Sequence, residues 1–216
     1  MPVTRRPAHA MLWAFVLAIV TCGSRAPADV IFSNFGAGDS YQTNVGRTVG
    51  SPGDFAAAMY FDAPASSNYA FDGFDLAAWY VAGTDAITAQ LMTSSGGLPG
   101  TTLESFSLTP SPYPSSILSA TSVLHPTLTA GGRYWLAVAP SDSTTWAAWN
   151  FADSDTRDSA ESYDGGATWS LLPAVGNGAF RIYGSPALPV PEPAFYQLGA
   201  LLALGGLGLL RHRKRA

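Results

Sequence analysis

From about residue 30 to residue 183 the chain alternates short apolar and aromatic runs with clusters of Gly, Pro, Ser and Asp. That rhythm predicts strands and turns, and no long stretch has a helical period. The expected strands are Val30–Phe35, Phe55–Phe61, Tyr69–Val81, Ala86–Thr93, Thr102–Leu108, Ile117–Leu124, Arg133–Ala139, Thr145–Phe151 and Ala179–Tyr183. In the fourth, Ile87, Ala89 and Leu91 alternate with Thr88, Gln90 and Met92, which buries one face. In the seventh, Tyr134, Leu136 and Val138 share one face while Trp135 and Ala137 share the other, so both sides are expected to be covered. Gly96 to Gly100 reads as a long hairpin loop. About nine strands at this spacing imply an all-β domain, a β-sandwich of jelly-roll or Greek-key kind.

The two ends break this pattern. Arg5 and Arg6 precede an apolar run from Met11 to Val20, and Ala26-Pro27-Ala28 follows as a small-x-small cleavage site. Residues 1–28 therefore read as a secretory signal peptide cut after Ala28. Two variants stay open: a twin-arginine route from Thr4-Arg5-Arg6-Pro7, and lipoprotein processing at Cys22. Cys22 is the one cysteine in the chain. A mature protein starting at Asp29 would thus have neither disulfide nor thiolate chemistry.

At the other end, Ala194 to Leu210 is 17 residues without a charge, followed by Arg211, His212, Arg213, Lys214 and Arg215. A helix of that length rises roughly 25 Å, against a hydrocarbon core of about 30 Å. Snorkelling arginines would cover the shortfall. Arg211, Arg213, Lys214 and Arg215 would stop transfer and stay on the cytoplasmic side. The expected order is a signal peptide (1–28), a β-domain (29–184), a Pro-rich tether (185–193), a membrane helix (194–210) and a basic tail (211–216).

Val190-Pro191-Glu192-Pro193, the Leu/Gly/Ala run and the Arg-rich end together resemble a PEP-CTERM protein-sorting signal. The resemblance implies a transient stay in the inner membrane and processing near Pro191 to Pro193 by an exosortase. Delivery to the surface or extracellular polymer of a Gram-negative bacterium would follow. A second, weaker resemblance, to choice-of-anchor β-domains, covers Ser33 to Tyr41, Gly97-Leu98-Pro99-Gly100, Tyr134-Trp135-Leu136 and Ala179 to Ile182. It implies a surface module and supplies no activity.

Charge narrows the partners of the β-domain. Between Asp29 and Pro189 there are four arginines, no lysine and 14 acidic residues, a balance of 4 − 14 = −10. Such a surface argues against nucleic acid. His125 is the domain's one histidine and reads as a turn residue before Pro126. No nucleophile elbow, zinc spacing or phosphate loop is present. Glu104 and Glu161 are the domain's glutamates, and nothing in their spacing links them as a glycosidase pair.

Asp153, Asp155, Asp158 and Glu161 fall within nine residues. They read either as a solvated acidic loop or as oxygen ligands for Ca²⁺. Trp149, Tyr163 and Trp169 lie nearby, either as core or as a stacking platform for sugars. Trp146 and Trp149 are an odd number apart, so a regular strand turns them to opposite faces. The leading expectation is a non-enzymatic surface or matrix protein. The alternatives are a carbohydrate-binding module and, less favoured, a glycan hydrolase.

Overall fold

The computed structural model describes residues 28–187. The signal-peptide reading up to Pro27, the Pro-Glu-Pro triplet, the apolar run and the basic tail lie outside the described residues. Among the described residues there are thirteen strands and no helix: β1 (Asp29–Ser33), β2 (Gly46–Gly50), β3 (Ala56–Asp62), β4 (Tyr69–Ala82), β5 (Ile87–Ser95), β6 (Leu98–Leu108), β7 (Ser116–Thr121), β8 (Thr127–Leu128), β9 (Arg133–Pro140), β10 (Trp146–Asn150), β11 (Ser159–Ser162), β12 (Ser170–Leu172) and β13 (Phe180–Pro186).

The strands form two antiparallel sheets. The smaller runs β12-β11-β3-β9-β5-β6. The larger follows β1-β13-β4-β10-β2, with β7 and β8 also paired to β4. Ala78 of β4 pairs with Trp149 and with Ser116, while Leu76 pairs with Phe180 and with Leu118. Strands β10 and β13 therefore lie end to end along one flank of β4, opposite β7. The chain leaves this flank after Asn150, builds β11 and β12 in the other sheet, and returns at Phe180.

One core lies between the sheets. Met59, Phe61, Leu91 and Leu136 from the smaller sheet meet Phe74, Leu76, Trp149, Phe180 and Ile182 from the larger. Phe71 and Phe74 are both buried although three residues apart, a spacing that a regular strand would split between two faces. The β4–β13 register slips across Asp72, so Asp72 is the extra residue of a bulge that restores Phe74 to the core side. Gly73 accommodates the bulge at φ 148°. The expectation of cover on both sides of β9 is met. On the outer face, Trp135, Met92 and the small residues Ala58, Ala137 and Ala160 form a second cluster beneath Tyr60, Leu98 and Trp169.

Three sequence expectations are corrected. Gly96 to Gly100 is no long loop. Ser95 pairs with Leu98, and Gly96 and Gly97 alone make the turn, at φ 60° and 83°, which asymmetric side chains resist. Ser185 and Pro186 belong to β13 and pair with Ala70 and Tyr69, so they are domain and not tether. Strands β2, β8, β11 and β12 were not expected. They are short, and β11, Ser-Ala-Glu-Ser, has no apolar run.

Glu104 on β6 shows how an acidic residue is used structurally. Its buried carboxylate accepts from Ser122 Oγ at 2.6 Å and from the backbone N–H groups of Val123 and Leu124 at 2.7 and 3.1 Å. Burial opposes its ionised form, but these donors outweigh that effect and hold the group below the ordinary Glu value of 4.5. A depressed carboxylate contributes its full stability above its unfolded value and loses it as pH falls through the folded one. Glu104→Gln is expected to lower stability at pH 7 by about 1–2 kcal/mol. Urea titration should show that gap to wild type closing as pH drops below 4.5.

Candidate functional site

Two adjoining concavities flank β2, the strand that ends the path of the larger sheet. On the outer face, a groove of about 430 Å³ is lined by Val45, Thr48, Trp79, Val81, Trp146, Ala148 and Phe151, with Asn44 at its margin. The alternation of β10 explains it. Ala147 and Trp149 point into the core, so Trp146 and Ala148 point out. Ala148 pairs with Trp79 across the strands, and its small side chain leaves the floor open between the two indole rings. Trp146 is 41% exposed, Val81 37% and Val45 42%. Tyr113 packs edge-on against Trp79 at 6.4 Å and extends the aromatic surface.

On the inner side of β2, Arg47 sits at the mouth between the sheets. It shares its face with the buried Val49 and lies opposite Ser159 and Glu161 of β11. This cleft, about 290 Å³, is walled by Pro52, Phe55, Ala57 and Phe151 and carries Arg47 and Glu161 as its charges. Arg47 donates from Nη2 to Ser159 Oγ at 3.3 Å, while its Nε is buried with no hydrogen-bond partner. Burial lowers the Arg47 pKa, against the opposing pull of Glu161 and Tyr163. The other three arginines of the described residues are ion-paired: Arg133 with Asp62, Arg157 with Asp155, and Arg181 with Asp39 and Asp75. Gly46, Thr48 and Phe151 line both concavities.

The acidic cluster does not converge. Asp155 accepts bidentately from Arg157, at 3.0 and 2.7 Å, and also from Asn34 and Asn177. Burial raises its pKa, but these bonds outweigh it and hold the group far below the usual carboxylate range. Asp153 accepts from Ser40, Asp158 from the Ala174 N–H, and Glu161 from the Tyr163 hydroxyl. Among the described residues no group of three acidic, His or Cys side chains is arranged to hold a metal ion.

Of the two readings of Trp149, Tyr163 and Trp169, core or platform, the structure does not bring the three together on one surface. Trp149 is fully buried and donates from its indole to the Ala179 carbonyl. Its ring lies so close to Gly178 that a Cβ there would approach it to 2.4 Å. Trp169 packs back onto the outer cluster of the smaller sheet. Tyr163 is 61% exposed but stands edge-on to Phe55, at the rim of the Arg47 cleft. The pair that lines an open groove is Trp146, which is exposed, and Trp79, which is half-buried. Parity along the strand could have found Trp146. Trp79 lies in an unbroken apolar run whose faces the bulges reshuffle.

A separate groove of about 390 Å³ brings Asp72, Asp75, His125 and Tyr183 together. His125 Nδ1 lies 3.3 Å from Asp72 Oδ1. Asp75 is heavily engaged: Ser119 and Tyr183 hydroxyls donate to it at 2.6 Å each, and Arg181 flanks it. Its carboxylate is held as an acceptor by these donors rather than left open to a substrate. The expected cleavage position after Ala28 falls immediately before Asp29, the first residue of β1. Glu104 stands on β6, one edge of the smaller sheet, and Glu161 on β11, the strand next to the other edge, so the two are separated by β3, β9 and β5.

Comparison with known proteins bears on the C-terminal end. Residues 189–214 match the family model of the PEP-CTERM protein-sorting motif. No curated protein matches the chain. The motif supports export and sorting to the cell surface through an exosortase.

Proposed function

We propose that this chain is a non-enzymatic, exported surface protein of a Gram-negative bacterium. On this reading its tail passes through the inner membrane and is cut by exosortase near Pro191 to Pro193. The two-sheet domain, read as a β-sandwich of surface-module type, then joins the extracellular matrix. There it touches polysaccharide through the outer face of the larger sheet. The observation that carries the contact is the half-exposed Trp146 beside Trp79 and Val81 in one groove. Indole faces stack on the apolar faces of sugar rings, and the rim groups Asn44 and Thr48 supply donors and acceptors.

The test is electrophoresis through gels carrying a soluble neutral glucan. Wild-type protein should be retarded. Trp146→Ala should run as in a plain gel, with unchanged thermal stability because the side chain is on the surface. Equal retardation of both proteins would sink the platform.

A hydrolase reading draws on the Asp72–Asp75–His125 groove. The donors that engage Asp75 favour a structural role there, and binding is the better-supported function.

A further inference from the structure

We infer that the Arg47 cleft is a second sugar site, selective for a carboxylate-bearing (uronic acid) unit of a polysaccharide whose neighbouring units lie on the Trp79–Trp146 groove. This inference rests on the polysaccharide reading above. Three observations on the same few residues carry it.

The first is an unmatched cation. The domain places Arg133, Arg157 and Arg181 against carboxylates, yet Arg47 has no ion pair within 4 Å among the described residues. Its one hydrogen bond is to a neutral hydroxyl, and its Nε is buried and unpartnered. Glu161 shares the cleft and pulls on Arg47 from beyond ion-pair distance, so the buried guanidinium keeps unused donors, and a planar carboxylate is the group that its fork fits. The second is shape. A cleft of 290 Å³ lies at the low end for small-molecule sites and suits a group of about one monosaccharide. Phe55 and Phe151 offer apolar walls, and the Glu161 carboxylate, which accepts from the Tyr163 hydroxyl at one oxygen, lines the same space as an acceptor for ring hydroxyls. The third is continuity. Gly46, Thr48 and Phe151 line this cleft and the tryptophan groove alike, so a chain crossing the edge of β2 meets both.

The surrounding charge makes the test sharp. A domain with a formal balance of −10 repels a polyanion as a whole. Preference for an acidic glycan over its neutral form must then come from a local cation.

The experiment compares polygalacturonate, its fully methyl-esterified form and a neutral glucan, each titrated into the full chain in detergent solution. Wild-type protein should bind the acid about tenfold more tightly than the ester, a difference of about 1.4 kcal/mol. Arg47→Gln should erase that preference while keeping the binding of ester and glucan. Arg47→Lys, which keeps charge but loses the fork, should fall between. The wild-type comparison of acid with ester stands even if an Arg47 variant fails to fold. Equal wild-type affinity for acid and ester, or an acid preference that survives Arg47→Gln, would overturn the inference. Binding of all three glycans that depends on Trp146 alone would overturn it while leaving the platform standing. Acid binding lost in Arg47→Gln, with no glucan binding and no effect of Trp146→Ala, would uphold the Arg47 site and overturn the platform. No binding of any glycan would overturn both.

Discussion

Asp155→Ala is expected to destabilise the domain by about 3–5 kcal/mol, the usual cost of removing one partner from a buried charged pair. For a domain of this size that corresponds to a melting temperature lower by about 10 °C. Asp155 stands where the chain leaves the larger sheet and comes back. Its side chain is 8% exposed and binds Arg157, Asn34 and Asn177. Arg157 in turn donates to the Tyr60 carbonyl of β3, and Asn34 bridges the Gly178 carbonyl and the Phe180 N–H. One carboxylate thus ties β1, β3 and the start of β13. Removing it leaves a largely buried guanidinium and two amides without their acceptor. Asp158→Ala is the control: Asp158 is exposed and accepts one bond, at 3.2 Å, so its loss should fall within about 0.5 kcal/mol of wild type. Thermal melts followed by circular dichroism decide between them. A loss below about 1 kcal/mol for Asp155→Ala would show that the network is not what holds the crossover. The pH response follows from the depressed Asp155 pKa. Its stabilisation is complete above the unfolded carboxylate value and disappears in strong acid, as pH falls through the folded value.

The second large effect concerns sorting. A chain lacking residues 189–216 is expected to vanish from the cell surface and appear as soluble, exported protein. Replacing Pro191, Glu192 and Pro193 together by Ala should give the opposite defect. The apolar run and Arg211 to Arg215 remain, so the uncut chain should accumulate in the membrane fraction. The two variants separate membrane retention, which apolar length and basic charge govern, from recognition, which the triplet supplies. Fractionation with immunoblotting reads both. Normal surface display of either variant would contradict the sorting role of the motif match.

Much of the fold was legible because the period-2 pattern survives where strands are regular. In β9 the alternation assigns each face correctly, down to Trp135 and Ala137 on the covered outer side, and in β5 it places Ile87, Ala89 and Leu91 in the core, though Met92 on the other face is buried as well. It fails where geometry breaks the period. The bulge at Asp72 puts Phe71 and Phe74 on one face, and a second slip in β10–β4 pairing lies beside Trp146. Strand β11 escaped because its polar sequence is held by pairing with β3 and β12 rather than by its own hydrophobicity. The candidate site was less legible for a related reason. Trp149, Tyr163 and Trp169 are close in sequence but occupy the core, a rim and the opposite sheet's outer face. Trp79 and Trp146, far apart in sequence, meet through the β10–β4 pairing. The acidic run looked like a cation site, but it carries its own cation in Arg157, and the amides that complete the network come from Asn34 and Asn177. Arg47 stands out only against the ion pairs of the other three arginines among the described residues, and those pairs are set by tertiary contacts.

The intact mass of the protein recovered from the surface of its native host tests the central claim most directly. The account predicts a species that starts at Asp29 and ends near Pro193. A surface species that still carries Arg211 to Ala216 would contradict it and make the tail a permanent anchor.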